Sequence, residues 1–214
     1  MSNSNRLVQA ILAGGALLGW FALIVQLYLL PINRTAGVAE SIVRYFSFYT
    51  ILTNFLVAAC FTISLISPLS RAGNFFLQRS TVTAIGVYIT VVGLVYNFVL
   101  RSLWQPTGMQ RLVDELLHTI IPLVFVAYWL LFEPKTKLKW GGVIPWLIYP
   151  LVYLMFILAR GAGSGYYPYP FVDVKTLGYS QVLLNCVYLC LCFVTISLVF
   201  VVINQALIKN HKKS

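Results

Sequence analysis

Acidic side chains are scarce in this chain: five Asp and Glu in 214 residues, against fifteen Lys and Arg. Only 9% of residues are charged while 60% are hydrophobic, a balance that excludes a soluble globular domain and a disordered segment alike. The net charge of +10 does not point to nucleic acid, because the basic residues are scattered at the ends of apolar stretches with no basic stripe or aromatic stacking motif beside them. Histidine is scarcer still. His118 is the only one outside the C-terminal tail, and with no second histidine or cysteine ligand near it neither a metal site nor a cofactor is expected. The four cysteines, Cys60, Cys186, Cys190 and Cys192, lie inside apolar stretches and read as packing residues. No internal repeat stands out, which counts against the inverted-repeat plan of many transporters.

What the chain has is long hydrophobic runs. Six stretches of about 20 residues, the length a helix needs to cross a hydrocarbon core of about 30 Å, lie near residues 7 to 30, 46 to 67, 81 to 100, 112 to 132, 141 to 159 and 179 to 208. The expected fold is therefore an all-α integral membrane protein, a bundle of six transmembrane helices forming a single domain over residues 1 to 214. The first stretch exceeds the apolar core of a signal peptide, and no small-x-small cleavage site follows it, so it is expected to be retained. Positively charged loops stay on the cytoplasmic side. The N-terminus, the second and fourth loops and the C-terminus hold nine basic residues: Arg6, Arg71, Arg79, Lys135, Lys137, Lys139, Lys209, Lys212 and Lys213. The opposite side holds six (Arg34, Arg44, Arg101, Arg111, Arg160 and Lys175) together with Glu40, Asp114, Glu115 and Asp173. Both termini are predicted cytoplasmic.

Several local signals accompany the spans. Gly14, Gly15 and Gly19 would let another helix approach the first span closely. Trp104, Trp129, Trp140 and Trp146 near span ends suggest an aromatic belt. The fifth loop puts flexible glycines, from Arg160 to Gly165, before the rigid run Tyr166 to Phe171, and reads either as a cover over a cavity or as a plain interfacial anchor.

An ionisable group at membrane depth is costly unless something uses it, which makes His118 the organising residue. At 1.5 Å rise per residue, Thr50, Thr53 and His118 lie about 9, 13 and 10 Å in from the same side, and Asn97 on the third span reaches the same layer. Helical spacing pairs Thr50 with Asn54, Asp114 with His118 and Asn97 with Arg101, so three spans each offer one polar stripe toward the bundle interior. A threonine hydroxyl needs a base to become a nucleophile, and histidine is the usual one. Asp114 is placed to fix the imidazole tautomer, and Asn54, Asn97 or Arg101 to donate to a developing oxyanion. Plainer readings stand beside these. A threonine in a transmembrane helix ordinarily bonds its own i−4 carbonyl, Asp114 and Glu115 can simply pair with Arg111 or Arg101, and His118 can donate to a neighbouring helix.

Four segments carry a resemblance: Arg44-Tyr-Phe-Ser-Phe-Tyr-Thr-Ile-Leu-Thr-Asn, Gly93-Leu-Val-Tyr-Asn-Phe-Val-Leu-Arg, Leu116-Leu-His-Thr-Ile-Ile-Pro-Leu and Tyr167-Pro-Tyr-Pro-Phe-Val-Asp. They resemble the bacterial Pr-six-Pr type of six-span membrane proteins over nearly the whole chain, a family without a settled function. More distantly the chain is similar to the androgen-induced and androgen-dependent TFPI-regulating membrane proteins of animals. The second resemblance implies a six-span threonine hydrolase of fatty acid esters of hydroxy fatty acids, with the nucleophile at Thr50 and the histidine at His118; Thr53, one turn on, competes for the first role. The bacterial likeness implies the inner membrane. The leading expectation is a membrane hydrolase of lipid esters with Thr50 as nucleophile and His118 as base. Its alternatives are a lipid or small-molecule carrier or receptor with a proton-sensitive His118, and an assembly subunit whose polar layer only holds helices together.

Overall fold

The computed structural model describes residues 3–33, 36–133 and 138–211. It is 85% helical, with no strand among the described residues. Among the described residues six helical stretches are long and apolar enough to cross a membrane: Arg6–Leu30, Tyr49–Ile66, Arg79–Leu100, Gly108–Leu131, Trp140–Ser164 and Val174–Lys209. They match the six expected spans. Of the basic residues that set the predicted orientation, Arg34, Lys135, Lys137, Lys212 and Lys213 lie outside the described residues.

The chain divides into two compact units, Met1–Pro134 and Lys135–Ser214. In the first, the helices α1 (Asn3–Asn33), α3 (Tyr49–Ile66), α5 (Arg79–Val95) and the pair α6 (Gly108–Glu115) and α7 (Ile121–Leu131) pack in a ring, each span against the next and the fourth back against the first. Two short helices lie in the connections, α2 (Val38–Tyr45) and α4 (Arg71–Phe76). The second span starts later than expected because α2 occupies the chain before it, and Ser47 and Phe48 turn between the two. Tyr45 closes that corner by donating to Leu23 O at 2.8 Å; burial pushes its phenol up to about 12, which keeps it a donor.

Close approach between the first two spans follows from glycine. A Cβ on Gly15 would stand 2.5 Å from the Phe61 ring, and one on Gly19 would stand 2.9 Å from the Ala58 Cβ, so only hydrogen fits at either place. Gly14, by contrast, faces open space. Phe61 is thereby held at the centre, 5.3 Å from both Phe125 and Tyr128 by ring centroids. Trp129 departs from the belt expectation: it is 1% exposed and donates to the Thr83 hydroxyl at 3.0 Å, while Trp20 donates to Thr62 at 2.9 Å. An indole N–H inside an apolar bundle needs an acceptor, and a threonine on the facing span supplies it. Trp104 and Trp140 are exposed, and Trp146 is buried.

The second unit contains α8 (Val143–Trp146), α9 (Ile148–Ser164) and α10 (Val174–His211). Pro150 has no N–H to give Trp146, and the helix breaks between Trp146 and Ile148. Gly178, at φ 74°, interrupts α10 after its first turn. The fifth loop packs on its own helices: Val172 joins Ile157, Val182 and Cys186 in a small core, and Tyr169 stacks on Phe171. Tyr167 lies so close over Gly161 that a Cβ there would collide with its ring. Asn185 donates to Phe171 O at 2.9 Å, which pins the loop to α10. All four cysteines are free, as packing residues would be.

Candidate functional site

The fourth span is not a continuous α-helix where the polar residues lie. Leu116–Ile120 is a π turn, in which Ile121 N–H reaches back to Leu116 O. The cause lies one residue further on. Pro122 has no N–H, so His118 O, four residues back, lacks its α-helical donor, and Leu117 O, five back, lacks its π-helical donor. Side chains from two other spans supply what is missing. Asn54 Nδ2 on the second span donates to Leu117 O at 3.2 Å, and Asn97 Nδ2 on the third donates to His118 O at 3.3 Å. Each amide gives its other hydrogen to its own helix, Asn54 to Thr50 O and Asn97 to Gly93 O, both at 2.8 Å. The third span has a matching π turn over Tyr96–Leu100, with Arg101 N–H bonded to Tyr96 O at 2.8 Å. Such turns occur often at functional sites. Gly93 brings the two spans together, since a Cβ there would lie 3.2 Å from His118 O and 3.4 Å from Pro122 Cβ.

Within this frame Asp114 and His118 meet as their spacing predicts. His118 Nδ1 lies 2.9 Å from Asp114 O and 3.3 Å from Asp114 Oδ1. Both partners are oxygens that accept, so Nδ1 carries the proton and Nε2 of the neutral ring is the basic atom. Tyr96 fixes the pair from the third span: its hydroxyl donates to Asp114 Oδ2, and its ring stacks on the imidazole at 4.0 Å with 16° between planes. The His118 side chain is 14% exposed and that of Asp114 is 8% exposed. Arg101 lies beyond, its guanidinium 5.3 Å from the Tyr96 centroid, bonded through Nη2 to Glu115 Oε2 at 2.7 Å and to Thr119 Oγ1 at 3.1 Å. Of the two carboxylates that the sequence allowed to pair with Arg101, it is Glu115 that does so. That bond holds the Arg101 proton more firmly than usual.

Thr50, Thr53 and Asn54 are all buried on one helix, and the Asn54 amide joins the Thr50 carbonyl to the residue before His118. Both N–H groups of Asn54 and of Asn97 are committed to carbonyls, so neither amide keeps a hydrogen for an oxyanion. Of the three donors expected for that role, Arg101 alone has N–H groups beyond those used in the bonds above. Sequence reasoning missed Tyr96, Thr119 and the part played by Pro122. Tyr96 adjoins Asn97 in sequence but lies about one turn from the end of the third span, where a tyrosine passes for an interfacial anchor. Among the described residues no cluster of His, Cys, Asp and Glu is suited to a metal. No family model, no curated protein and no solved structure matches this chain.

Proposed function

We propose that the protein is a membrane hydrolase of fatty acyl esters, with Thr50 as nucleophile and His118 as general base. The observation that supports this reading is the His118 imidazole, its Nδ1 turned to Asp114 and its ring stacked on Tyr96, on a span that the Asn54 amide bonds to the helix of the buried Thr50. In the first step Nε2 takes the Thr50 proton as the oxygen attacks the ester carbonyl. The tetrahedral intermediate collapses, and the alcohol leaves with the proton from His118. Water then attacks the acyl-threonine and gives a proton to Nε2; as the second tetrahedral intermediate collapses, the Thr50 oxygen leaves with that proton and the fatty acid is released. Asp114 stabilises the imidazolium formed in both steps. The acyl chain enters laterally from the lipid, the termini are cytoplasmic, and the membrane is the bacterial inner membrane. The likeness of the segments around Thr50 and His118 to animal threonine hydrolases adds to the case for the substrate class.

The test is ester hydrolysis by the purified chain in detergent, together with covalent labelling by a fluorophosphonate probe. His118→Ala is expected to lower the rate roughly 10²- to 10⁴-fold, and Thr50→Ala to abolish labelling, while Thr53→Ala keeps both activities. Labelling lost in Thr53→Ala instead would move the nucleophile one turn. Full activity in both Thr50→Ala and His118→Ala would end the proposal. Proton-dependent ligand uptake without labelling would replace it with a carrier.

A further inference from the structure

The short helix α2 presents three faces. At about 3.6 residues per turn, Val38, Ala39, Ile42, Val43 and Phe46 fall on one arc, and all five are exposed. Ser41 and Tyr45 are buried on a second face, where Tyr45 bonds to α1. Glu40 and Arg44, the only charged residues of α2, lie on the third and bond to each other at 2.9 Å, so the side chains of this helix carry no net charge.

The neighbouring span shows what covers the apolar arc. Tyr49–Ile66 has 18 residues, about 27 Å at 1.5 Å per residue, which is no longer than the hydrocarbon core of about 30 Å. Tyr49 therefore lies at or inside the edge of the hydrocarbon, and the turn through Ser47 and Phe48 is too short to lift α2 away from it. The arc is also turned inward. The Phe46 ring lies 5.9 Å from that of Phe55, a residue six positions and about 9 Å past the start of the span, so from α2 it points along the span into the bilayer. Glu40 and Arg44, on the far side of the helix, face the head groups.

We propose that α2 is an interfacial helix that seats Val38, Ala39, Ile42, Val43 and Phe46 among the acyl chains of the adjoining leaflet. Its partner is the uncharged part of the lipid, so the seat requires neither anionic head groups nor low salt. The inference concerns lipid contact alone and is tested without turnover.

The experiment attaches a polarity-sensitive nitrobenzoxadiazole label to one added cysteine in the full chain, in phosphatidylcholine vesicles. The wild-type chain, whose four cysteines lie within spans, gives the background. Val38→Cys and Ile42→Cys place the label on the arc and Glu40→Cys places it off the arc; none of the three positions is buried, so each variant is expected to fold. Labels at the first two are expected to emit at shorter wavelength than the label at the third, and to be quenched roughly twofold or more strongly by lipid carrying a nitroxide near the top of its acyl chain. The Ile42→Cys signal should not change when anionic lipid or salt is added. Water-like emission and equal quenching at all three positions would overturn the inference. Emission shielded from water at Ile42→Cys, without quenching by the lipid nitroxide, would place a second protein chain over the arc and overturn it too. A seat that forms only with anionic lipid would do the same.

Discussion

The two units handle polar groups in opposite ways. In the first, hydrogen bonds join helices far apart in sequence: Asn54 to Leu117, Asn97 to His118, Trp129 to Thr83 and Gln110 to Gln26. In the second, most described polar contacts are local, such as Arg160 with Tyr166, Thr176 with Asp173 and Gln181 with Asn185. Burial follows the same division. In Arg79–Leu100, 67% of the span's most apolar window is buried, against 22% in Trp140–Ser164. A bundle whose spans are tied across by amides and indoles can hold an imidazole and a carboxylate in fixed register. A helix pair whose polar groups serve its own turns has outward faces suited to lipid, as the exposed Leu183, Val187 and Leu191 suggest.

A first separation between the units is expected from asparagine. Asn97→Leu withdraws the donor that Pro122 made necessary and should cost about 1 to 3 kcal/mol in thermal unfolding. Asn185→Leu frees a carbonyl in a half-buried loop that can turn to water, and should cost under about 1 kcal/mol. Equal losses would erase the distinction. Glycine sharpens it next. Gly93→Val pushes a side chain into the His118 carbonyl and Pro122 and should destabilise by about 1 to 3 kcal/mol. Gly163→Ala on α9 meets open space and should be neutral or stabilising by up to about 1 kcal/mol. A destabilised Gly163→Ala would mean that this face of α9 is covered.

A modest effect belongs to Asp173, which caps the first turn of α10 by accepting from Lys175 N–H at 2.9 Å and from the Thr176 hydroxyl. These bonds, the one from Thr176 foremost, hold its carboxyl below the ordinary carboxylate range. A group depressed on folding contributes stability above its unfolded pKa and loses it as pH falls through the folded one. Asp173→Ala should therefore cost roughly 0.5 to 1 kcal/mol at neutral pH and approach zero in acid. Melting curves across the acidic range check this, and a penalty that does not change with pH would assign the cap to something other than charge.

Much of this was legible in the sequence. Six spans followed from hydropathy and length, and the Asp114 and His118 contact followed from i, i+4 spacing, because both are properties of one helix read along itself. Counting rise put Thr50, Thr53, Asn97 and His118 in one layer, and the Asn97 bond to His118 O joins two of them. What stayed hidden crosses between helices. Nothing in the second or third span records that Pro122, on the fourth, leaves two carbonyls short of donors, so Asn54 and Asn97 read as free donors when both are committed. The stacking of Tyr96 on His118 depends on two π turns whose register periodicity does not reveal. The helices α2 and α4 were read as loop because each is under three turns, too short for a periodic pattern to register.

A missing hydrogen on one imino acid thus writes requirements into two other helices. Positions 54, 97 and 122 should behave as a single heritable trait: relatives that keep the proline should keep both amides, and a lineage that loses the proline is released to change the other two.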